Sequence, residues 1–306
     1  MKFINLKTKS EEAFLSSPSV LCIGNFDGVH LGHRQLVETV LDEYSVLKDN
    51  YSSLVSGAWF FDSNFYKSVD EIFSIDEKLN VFAELGLDYA IIADFNDMKS
   101  LSPEEFVKSI LKTECSCIHA VCGENFRFGK MALGNAKMLS ELMCSNVSVV
   151  PLLSVENHIV SSTYIRELLA SGNIEDANYL LCSKYSISEK VVHGKALGRK
   201  LGIPTVNQNV CKKKLILKNG IYATVCTIDE KKYYGVTNVG VRPTVDNNEI
   251  KNVETYIIDF DGDCYDKEIK VEFIYRIRDE IRFADVNQLK QQITKDIEVA
   301  KNYFKI

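Results

Sequence analysis

Between residues 18 and 151 the sequence alternates short apolar runs with longer stretches of helical periodicity. This alternation predicts parallel strands joined by crossover helices, the pattern of a doubly wound α/β domain. The helix after Ser102 has that serine as N-cap, Pro103 at its first position and Glu105 to complete a capping box. The predicted strands cover 19–23, 54–61, 89–93, 118–122 and 147–151, and the other predicted helices cover 31–49, 75–85 and 137–143.

Beyond residue 185 the pattern changes to short alternating strands that are bounded by Gly, Asn and Asp. Such strands predict a small antiparallel β-barrel, and Asp285 is the predicted N-cap of a terminal helix that reaches residue 304. The net charge changes at the same point, from −10 over residues 1–185 to +4 over residues 186–306. We therefore place a domain boundary at 185, which gives domains 1–185 and 186–306. The predicted barrel strands cover 186–192, 220–228, 232–239, 254–259 and 268–278.

The composition, with 46% hydrophobic and 25% charged residues, is typical of a globular protein. A net charge of −6 argues against a general nucleic-acid coat, which needs clustered cations. The N-terminus lacks the apolar core of a signal peptide, and no run approaches the roughly 18 apolar residues of a membrane span. We expect a cytoplasmic protein that binds neither nucleic acid nor membrane, with its nine cysteines reduced and no structural metal.

The segment 21–33, with the sequence LCIGNFDGVHLGH, predicts a buried strand, a glycine-rich turn and the start of a helix. His30 and His33 are three residues apart and share one face of that helix, beside its free amides and its positive dipole. Phosphate suits that arrangement, and imidazoles can donate to charge that develops in phosphoryl chemistry. The alternative is a strand-to-helix turn in which the histidines are only caps. No lysine follows the glycines, so this is not a Walker-type loop.

Two further segments of the first domain carry polar groups. Ser161, Ser162 and Thr163 precede an apolar helical pattern that includes Arg166, so they form either a second phosphate site or a simple helix cap. The sequence GENFRFG at 123–129 directly follows a predicted strand. Its two phenylalanines around an arginine suit a flat ring and its phosphate, although they could also plug the core.

In the second domain the tetrapeptide at 204–207 reads PTVN. Alone it is typical of a turn. The hydroxyl of Thr205 and the amide oxygen of Asn207 are nevertheless ligands suited to a Mg²⁺ ion that bridges ATP phosphates.

The order of these motifs resembles that of the prokaryotic bifunctional riboflavin kinase/FAD synthetase family, whose first domain belongs to the HxGH nucleotidyltransferase superfamily. The match extends through HGK at 193–195, GR at 198–199, GIPTVN at 202–207, NVGVRPT at 238–244 and ET at 254–255, so it covers nearly the whole chain. The resemblance implies that residues 1–185 transfer an adenylyl group from ATP to FMN and release pyrophosphate. It implies that residues 186–306 phosphorylate riboflavin to FMN with MgATP.

The resemblance also implies roles for individual residues. Glu254 would be the base for the ribityl 5′-hydroxyl, His30 and His33 would stabilise the adenylyl transition state, and Thr205 and Asn207 would hold the metal. The nucleotide and phosphate contacts would be Gly24, Phe26, Asp27, Gly28, Gly32, Ser161, Ser162, Thr163, Arg166, Gly198, Arg199, Thr205 and Asn207. The flavin contacts would be Asn125, Phe126, Arg127, Phe128 and Arg242.

One segment departs from the family pattern. Relatives carry Phe-x-Pro-His-Pro after the second strand, whereas this chain has FFDSN at 60–64. Tyr256 and Tyr164 stand where the family often has histidine and arginine. Two alternatives therefore stay open: a riboflavin kinase whose adenylyltransferase half is impaired or redirected, and an inactive flavin-binding regulatory protein.

Overall fold

The computed structural model describes residues 1–5, 15–62, 70–194, 198, 202–243 and 249–306. The chain divides into two compact units, Met1–Tyr164 and Ile165–Ile306. The boundary placed at residue 185 stays a prediction.

The first unit is built on a six-stranded parallel sheet in the order β1-β4-β3-β2-β5-β8. This confirms the predicted doubly wound domain. The sheet strands are β1 (Lys2–Asn5), β2 (Ser19–Ile23), β3 (Val55–Phe61), β4 (Tyr89–Ala93), β5 (Cys117–Gly123) and β8 (Val147–Val150). Two short ribbons pair β6 (Arg127–Phe128) with β7 (Gly134–Asn135) and β9 (Ser154–Val155) with β10 (His158–Ile159).

The helices of the first unit cover the faces of this sheet. They are α1 (Leu31–Leu47), α2 (Ile75–Glu84), α3 (Phe95–Met98), α4 (Pro103–Glu105), which continues as a π-helix over Phe106–Glu114, and α5 (Ala136–Leu142). Ser102 caps α4 as predicted, because its hydroxyl accepts from the Glu105 amide while the Glu105 carboxylate accepts from the Ser102 amide. The core between helices and sheet is aromatic and aliphatic, with Trp59, Ile91 and Leu139 among its members.

The strand order predicts where a ligand-binding crevice lies at the edge of this sheet. Strands β2 and β5 are neighbours, but the chain continues from β2 to β3 on one side and from β5 to β8 on the other. In open parallel sheets such a reversal leaves a crevice at the carboxyl ends of the two strands. The loop after Ile23 and the loop after Gly123 both start at this crevice.

The second unit contains the predicted barrel. Six antiparallel strands close in the order β11-β12-β15-β14-β13-β16. They are β11 (Ser186–Val192), β12 (Thr205–Asn209), β13 (Gly220–Ile228), β14 (Lys231–Pro243), β15 (Glu249–Ile257) and β16 (Glu268–Arg278). Helix α6 (Ser162–Ser171) begins in the first unit and ends in the second, and α7 (Ile174–Leu180) follows it.

The terminal helix α8 (Val286–Phe304) packs on the outside of the barrel. Asp285 is its N-cap, as predicted, and accepts from the amides of Asn287 and Gln288. Arg278 of β16 forms a forked ion pair with Asp296 of α8, with Nε–Oδ1 and Nη2–Oδ2 distances of 2.9 and 2.6 Å. Asp296 is only 2% exposed, so this pair fixes α8 against β16 and its loss would leave a buried charge.

Several elements were not predicted, among them β1, α7 and β12. Strand β1 carries no apolar alternation, and α7 is only seven residues long. The tetrapeptide 204–207, which alone is typical of a turn, instead leads into β12, paired with β11 and β15. Asparagine, which occurs twice in β12, is disfavoured in strands, and here barrel closure supplies the hydrogen-bond partners.

Most of the cysteines are buried. Burial raises the pKa of Cys226 to about 12, which keeps this thiol protonated at neutral pH. No helix among the described residues is long and apolar enough to cross a membrane.

Candidate active sites

The crevice of the first unit opens into a cavity of about 750 Å³. Its lining combines polar residues and glycines with aromatic and apolar side chains. The first group contains Gly24, Asn25, His30, Gly32, His33, Asn125, Arg127, Ser161, Ser162 and Thr163. The second group includes Trp59, Phe61, Phe95, Met98, Phe106, Phe126, Phe128, Met131 and Leu152.

His30 and His33 form a reciprocal cap at the start of α1. The Nδ1 of His30 accepts from the His33 amide, and the Nδ1 of His33 accepts from the His30 amide, both at 3.3 Å. Their rings stack with centroids 3.6 Å apart. The two histidines therefore cap α1, as one of the two interpretations predicts. This does not prevent their rings from also donating to a phosphate ligand. A nitrogen that accepts a hydrogen bond carries no proton, so each neutral imidazole keeps its proton on Nε2, the nitrogen that can donate to a ligand.

Both imidazoles are held neutral by their surroundings. Burial lowers the pKa of His30 from 6.5 to about 4. Burial also lowers the pKa of His33 well below 6.5, and the nearby charges of His30 and Lys78 lower it further. Phe26 packs against the His33 ring with centroids 5.0 Å apart and is itself fully buried. The site therefore presents two uncharged N–H donors at neutral pH.

A titration tests this neutral state. We expect ¹⁵N spectra of histidine-labelled protein to show His30 and His33 as Nε2–H tautomers that stay unchanged from pH 8 to pH 5. Because the unfolded chain binds these protons near pH 6.5 and the folded chain binds the His30 proton near pH 4, the free energy of unfolding falls as the pH drops through that interval. The slope is about 1.4 kcal/mol per pH unit for each histidine. A transition of both side chains near pH 6.5 would contradict this assignment.

The residues with hydroxyls at the start of α6 line the same cavity. Ser162 donates to the carbonyl oxygen of Asp27 at 2.8 Å, which ties α6 to the loop after β2. Ser161 Oγ accepts from the Tyr164 amide, so the Ser161 proton stays available for a ligand, and Thr163 is exposed. Arg166, further along α6, belongs to the second unit.

Other residues of the glycine-rich turn lie behind the cavity wall. The Asp27 carboxylate accepts from the Ile72 amide at 3.0 Å and is buried, so it braces the turn. Phe26, Gly28 and Val29 have φ angles of 51°, 78° and 31°. Three residues with positive φ in one short turn explain how the chain reverses tightly enough to bring His30 next to the end of β2.

The loop after β5 brings Asn125, Phe126, Arg127 and Phe128 to the cavity. The rings of Phe126 and Phe128 stack with centroids 5.5 Å apart, and Phe128 also contacts Phe106. Phe128 is buried whereas Phe126 is half-buried, so the first serves the core and the second has a surface for a ligand.

The segment that departs from the family pattern contributes aromatic side chains to the cavity. Phe61 contacts Trp59 and Phe95 edge to face, with centroid distances of 4.8 and 5.2 Å. Asp62 is buried. Ser63 and Asn64 lie outside the described residues. In this chain, aromatic rings therefore form the wall at the carboxyl end of β3.

The second unit has a cavity of about 390 Å³ beside the barrel, with α8 in its wall. Glu254 of β15 and Thr205 of β12 line it, and the Thr205 hydroxyl donates to Glu254 Oε1 at 2.6 Å. Asn207 is the direct cross-strand neighbour of Glu254 and is 4% exposed. The remaining lining residues are Gly198, Ile203, Ile221, Val236, Asn238, Tyr256, Arg278, Glu280, Ile281, Phe283, Leu289, Ile293 and Asp296.

Two glycines pack on these polar residues. A Cβ at Gly198 would overlap the carbonyl oxygen of Ile203 and approach the Thr205 hydroxyl, and a Cβ at Gly194 would overlap the Asn207 amide. Both positions therefore need glycine for close approach to β12. Arg199 lies outside the described residues, as does the side chain of Arg242.

Two protein families match successive parts of the chain. The FAD synthetase family matches residues 15–164 and the riboflavin kinase family matches residues 181–304. A bifunctional riboflavin kinase/FMN adenylyltransferase of Buchnera aphidicola subsp. Schizaphis graminum is 35% identical over 305 residues, covering 95% of this chain and 96% of the relative. The chain belongs to the bifunctional riboflavin kinase/FMN adenylyltransferase family.

Other relatives in this family span the same length. The bifunctional riboflavin kinase/FMN adenylyltransferase of Bacillus subtilis is 31% identical over 296 residues and covers 94% of this chain and 92% of the relative. A crystal structure described as a macrolide-efflux protein from Streptococcus pneumoniae matches with a TM-score of 0.89 and 29% identity, over 98% of this chain and 99% of that one.

Sequence reasoning missed most of the cavity walls. It did not find Trp59, Phe95 or Met98 in the first cavity, or Asn238, Phe283 and Ile293 in the second. Of these residues, only Asn238 could have been identified from the sequence as a candidate, because it begins the NVGVRPT motif. The apolar residues are chemically ordinary, and only the fold brings them to a ligand.

Proposed function

We propose that the first cavity transfers an adenylyl group from ATP to FMN and that the second cavity transfers a phosphoryl group from ATP to riboflavin. Riboflavin, FMN and ATP are the substrates of these two activities. The observation that carries the proposal is the presence of two separately lined cavities, each with the polar groups that its reaction needs.

In the first cavity the FMN phosphate attacks the α-phosphorus of ATP in line, and pyrophosphate leaves. The Nε2–H groups of His30 and His33 donate to the charge that develops on the phosphoryl oxygens, which is where fixed donors contribute most. The hydroxyls of Ser161 and Thr163 and the first amides of α6 hold the leaving phosphates.

The flavin and adenine rings need apolar surfaces. Phe126, Trp59 and Phe61 supply such surfaces in the cavity wall, and Asn125 and Arg127 add polar contacts on either side of Phe126. Gly24 and Gly32 also line the cavity, and their lack of side chains lets the nucleotide approach the backbone.

In the second cavity Glu254 takes the proton of the ribityl 5′-hydroxyl as this oxygen attacks the γ-phosphorus of ATP, and ADP leaves. Phosphoryl transfer depends mainly on position and charge, so the carboxylate has to lie within hydrogen-bond reach of the alcohol. Thr205 contributes to that position, because its hydroxyl fixes one carboxylate oxygen.

Thr205 and Asn207 fit a Mg²⁺ ion. They are two residues apart on β12 and so lie on the same face of the strand. The Thr205 hydroxyl donates its hydrogen bond to Glu254, which leaves the lone pairs of its oxygen for a metal. When bound, Mg²⁺ would neutralise charge on the ATP phosphates.

Product analysis tests the proposed function. Purified protein is incubated with riboflavin, ATP and Mg²⁺, and the flavins are separated by reverse-phase chromatography while ADP and pyrophosphate are assayed. We expect FMN and ADP first, followed by FAD and pyrophosphate. FMN without FAD would show that only the kinase reaction occurs. The absence of both ADP and pyrophosphate would show that neither transfer occurs.

A further inference from the structure

Asn238 of β14 lines the second cavity but has no part in the mechanism described above. Its Oδ1 is buried and has no hydrogen-bond partner among the residues that the structure describes. Buried carbonyl oxygens in folded proteins nearly always accept a hydrogen bond. An unsatisfied acceptor in a cavity wall therefore suggests that a ligand supplies the donor.

The barrel register places Asn238 next to the base. Asn207, Glu254, Asn238, Ile221 and Arg278 are successive cross-strand partners on β12, β15, β14, β13 and β16. Directly opposite residues in antiparallel strands point to the same face with Cβ atoms about 5 Å apart. The Asn238 amide thus lies one strand beyond Glu254, on the side opposite to Asn207.

The chemistry along this row changes from polar to apolar between β12 and β13. Asn207, with Thr205 on the same strand, is suited to the nucleotide phosphates; Glu254 and Asn238 follow it, and Ile221 of β13 is apolar. The row ends at Arg278, whose guanidinium is paired with Asp296. Four more apolar residues of the cavity wall come from the segment before α8 and from α8 itself. These four are Ile281, Phe283, Leu289 and Ile293.

Riboflavin has the same order of groups. Its terminal hydroxyl is the attacking group, its internal ribityl hydroxyls come next, and the flat isoalloxazine ring ends the molecule. With the terminal hydroxyl at Glu254 and the ring against the apolar wall, the internal hydroxyls pass the Asn238 amide. ATP phosphates would lie on the other side of Glu254, toward β12.

We propose that Asn238 is a substrate-binding residue of the kinase site and that its amide binds an internal hydroxyl of the ribityl chain. The proposal rests on the proposed kinase function. It makes Asn238 a determinant of specificity for flavins that carry a polyol chain over flavins that carry only the ring.

The test compares the wild type with Asn238→Ala. We expect the KM for riboflavin to rise roughly tenfold to a hundredfold, as for loss of a buried hydrogen bond, while the KM for ATP stays within twofold. Lumiflavin, which has the ring but no ribityl chain, is the probe for the apolar wall. Its inhibition constant is expected to stay within twofold in the variant.

A matched control is Asn252→Ala. Asn252 lies on β15, is 5% exposed, and also has a buried Oδ1 without a partner among the described residues, but it is not in the cavity wall. This variant reports the effect of removing a buried amide from the barrel. We expect its KM for riboflavin to match that of the wild type.

A second measurement compares the binding of two flavins, and its first part uses only the wild type, so it does not depend on how well the variant folds. The 10-(5-hydroxypentyl) analogue of riboflavin keeps the terminal hydroxyl and lacks the internal ones, so the wild type should bind it at least tenfold more weakly than riboflavin. In Asn238→Ala this preference should disappear.

Three results would overturn the assignment of Asn238: an unchanged KM for riboflavin in Asn238→Ala, a parallel rise in the lumiflavin inhibition constant, or equal wild-type affinity for riboflavin and the hydroxypentyl analogue. If the wild type itself forms no FMN, the kinase function is wrong and this inference falls with it. Wild-type turnover therefore separates the two kinds of failure.

Discussion

Glu254→Gln is expected to lower riboflavin phosphorylation by about a thousandfold, because general-base catalysis contributes 10²–10⁴ to such rates. The glutamine has the same shape and can still accept from Thr205, whose hydroxyl lies 2.6 Å from Oε1 in the native protein. It cannot take a proton from the ribityl alcohol. The measurement is the initial rate of ADP release from riboflavin and ATP.

The same Glu254→Gln protein should convert supplied FMN to FAD at the wild-type rate, because the first cavity is lined only by residues between 23 and 163. Glu268→Gln is the control for loss of a carboxylate, since Glu268 is exposed on β16 and lies outside the cavity wall. A loss of less than tenfold in kinase rate would show that Glu254 is not the base.

His33→Asn is expected to lower FAD formation from FMN by about 10²–10³-fold, the usual effect of removing one donor from a developing oxyanion. An asparagine oxygen can occupy the position of Nδ1 and accept from the His30 amide, so the cap of α1 survives. The Nε2–H donor is lost. The measurement is pyrophosphate release with FMN and ATP.

His33→Gln separates the two functions of this imidazole. Its longer side chain places an amide nitrogen near the position of Nε2, so it should recover at least tenfold of the activity lost in His33→Asn. His158→Asn is the control, because His158 is exposed and lies outside the cavity wall. Equal losses in the asparagine and glutamine variants would indicate a purely structural role for His33.

Much of the fold was predictable from local sequence. Strands β2, β13 and β16 have the predicted bounds because their apolar side chains are buried and their ends are set by Gly, Asn or charged residues. Strand β12 was not predictable, since Gln208 is fully buried and donates to carbonyls of Glu189 and Ile269 on β11 and β16. Those partners are distant in sequence, so no local pattern identifies them.

The candidate sites were predictable only in their polar parts. His30, His33, Thr205 and Glu254 belong to motifs in which several unusual residues are adjacent in the sequence. The tautomers of the histidines were not predictable, because they depend on the reciprocal caps and on burial. Tertiary packing alone placed Trp59 beside Phe106, and Ile293 beside the barrel.

Two independent catalytic sites in one chain can be tested by complementation. Glu254→Gln and His33→Asn are each incubated with riboflavin, ATP and Mg²⁺, alone and then mixed, and FAD is measured by chromatography. Either variant alone should form FAD at least about a hundredfold more slowly than the wild type, whereas the mixture should form it rapidly through free FMN, which His33→Asn produces and Glu254→Gln adenylylates. A mixture that forms no FAD, although each variant keeps its remaining activity, would contradict the assignment of the two reactions to separate sites linked by released FMN.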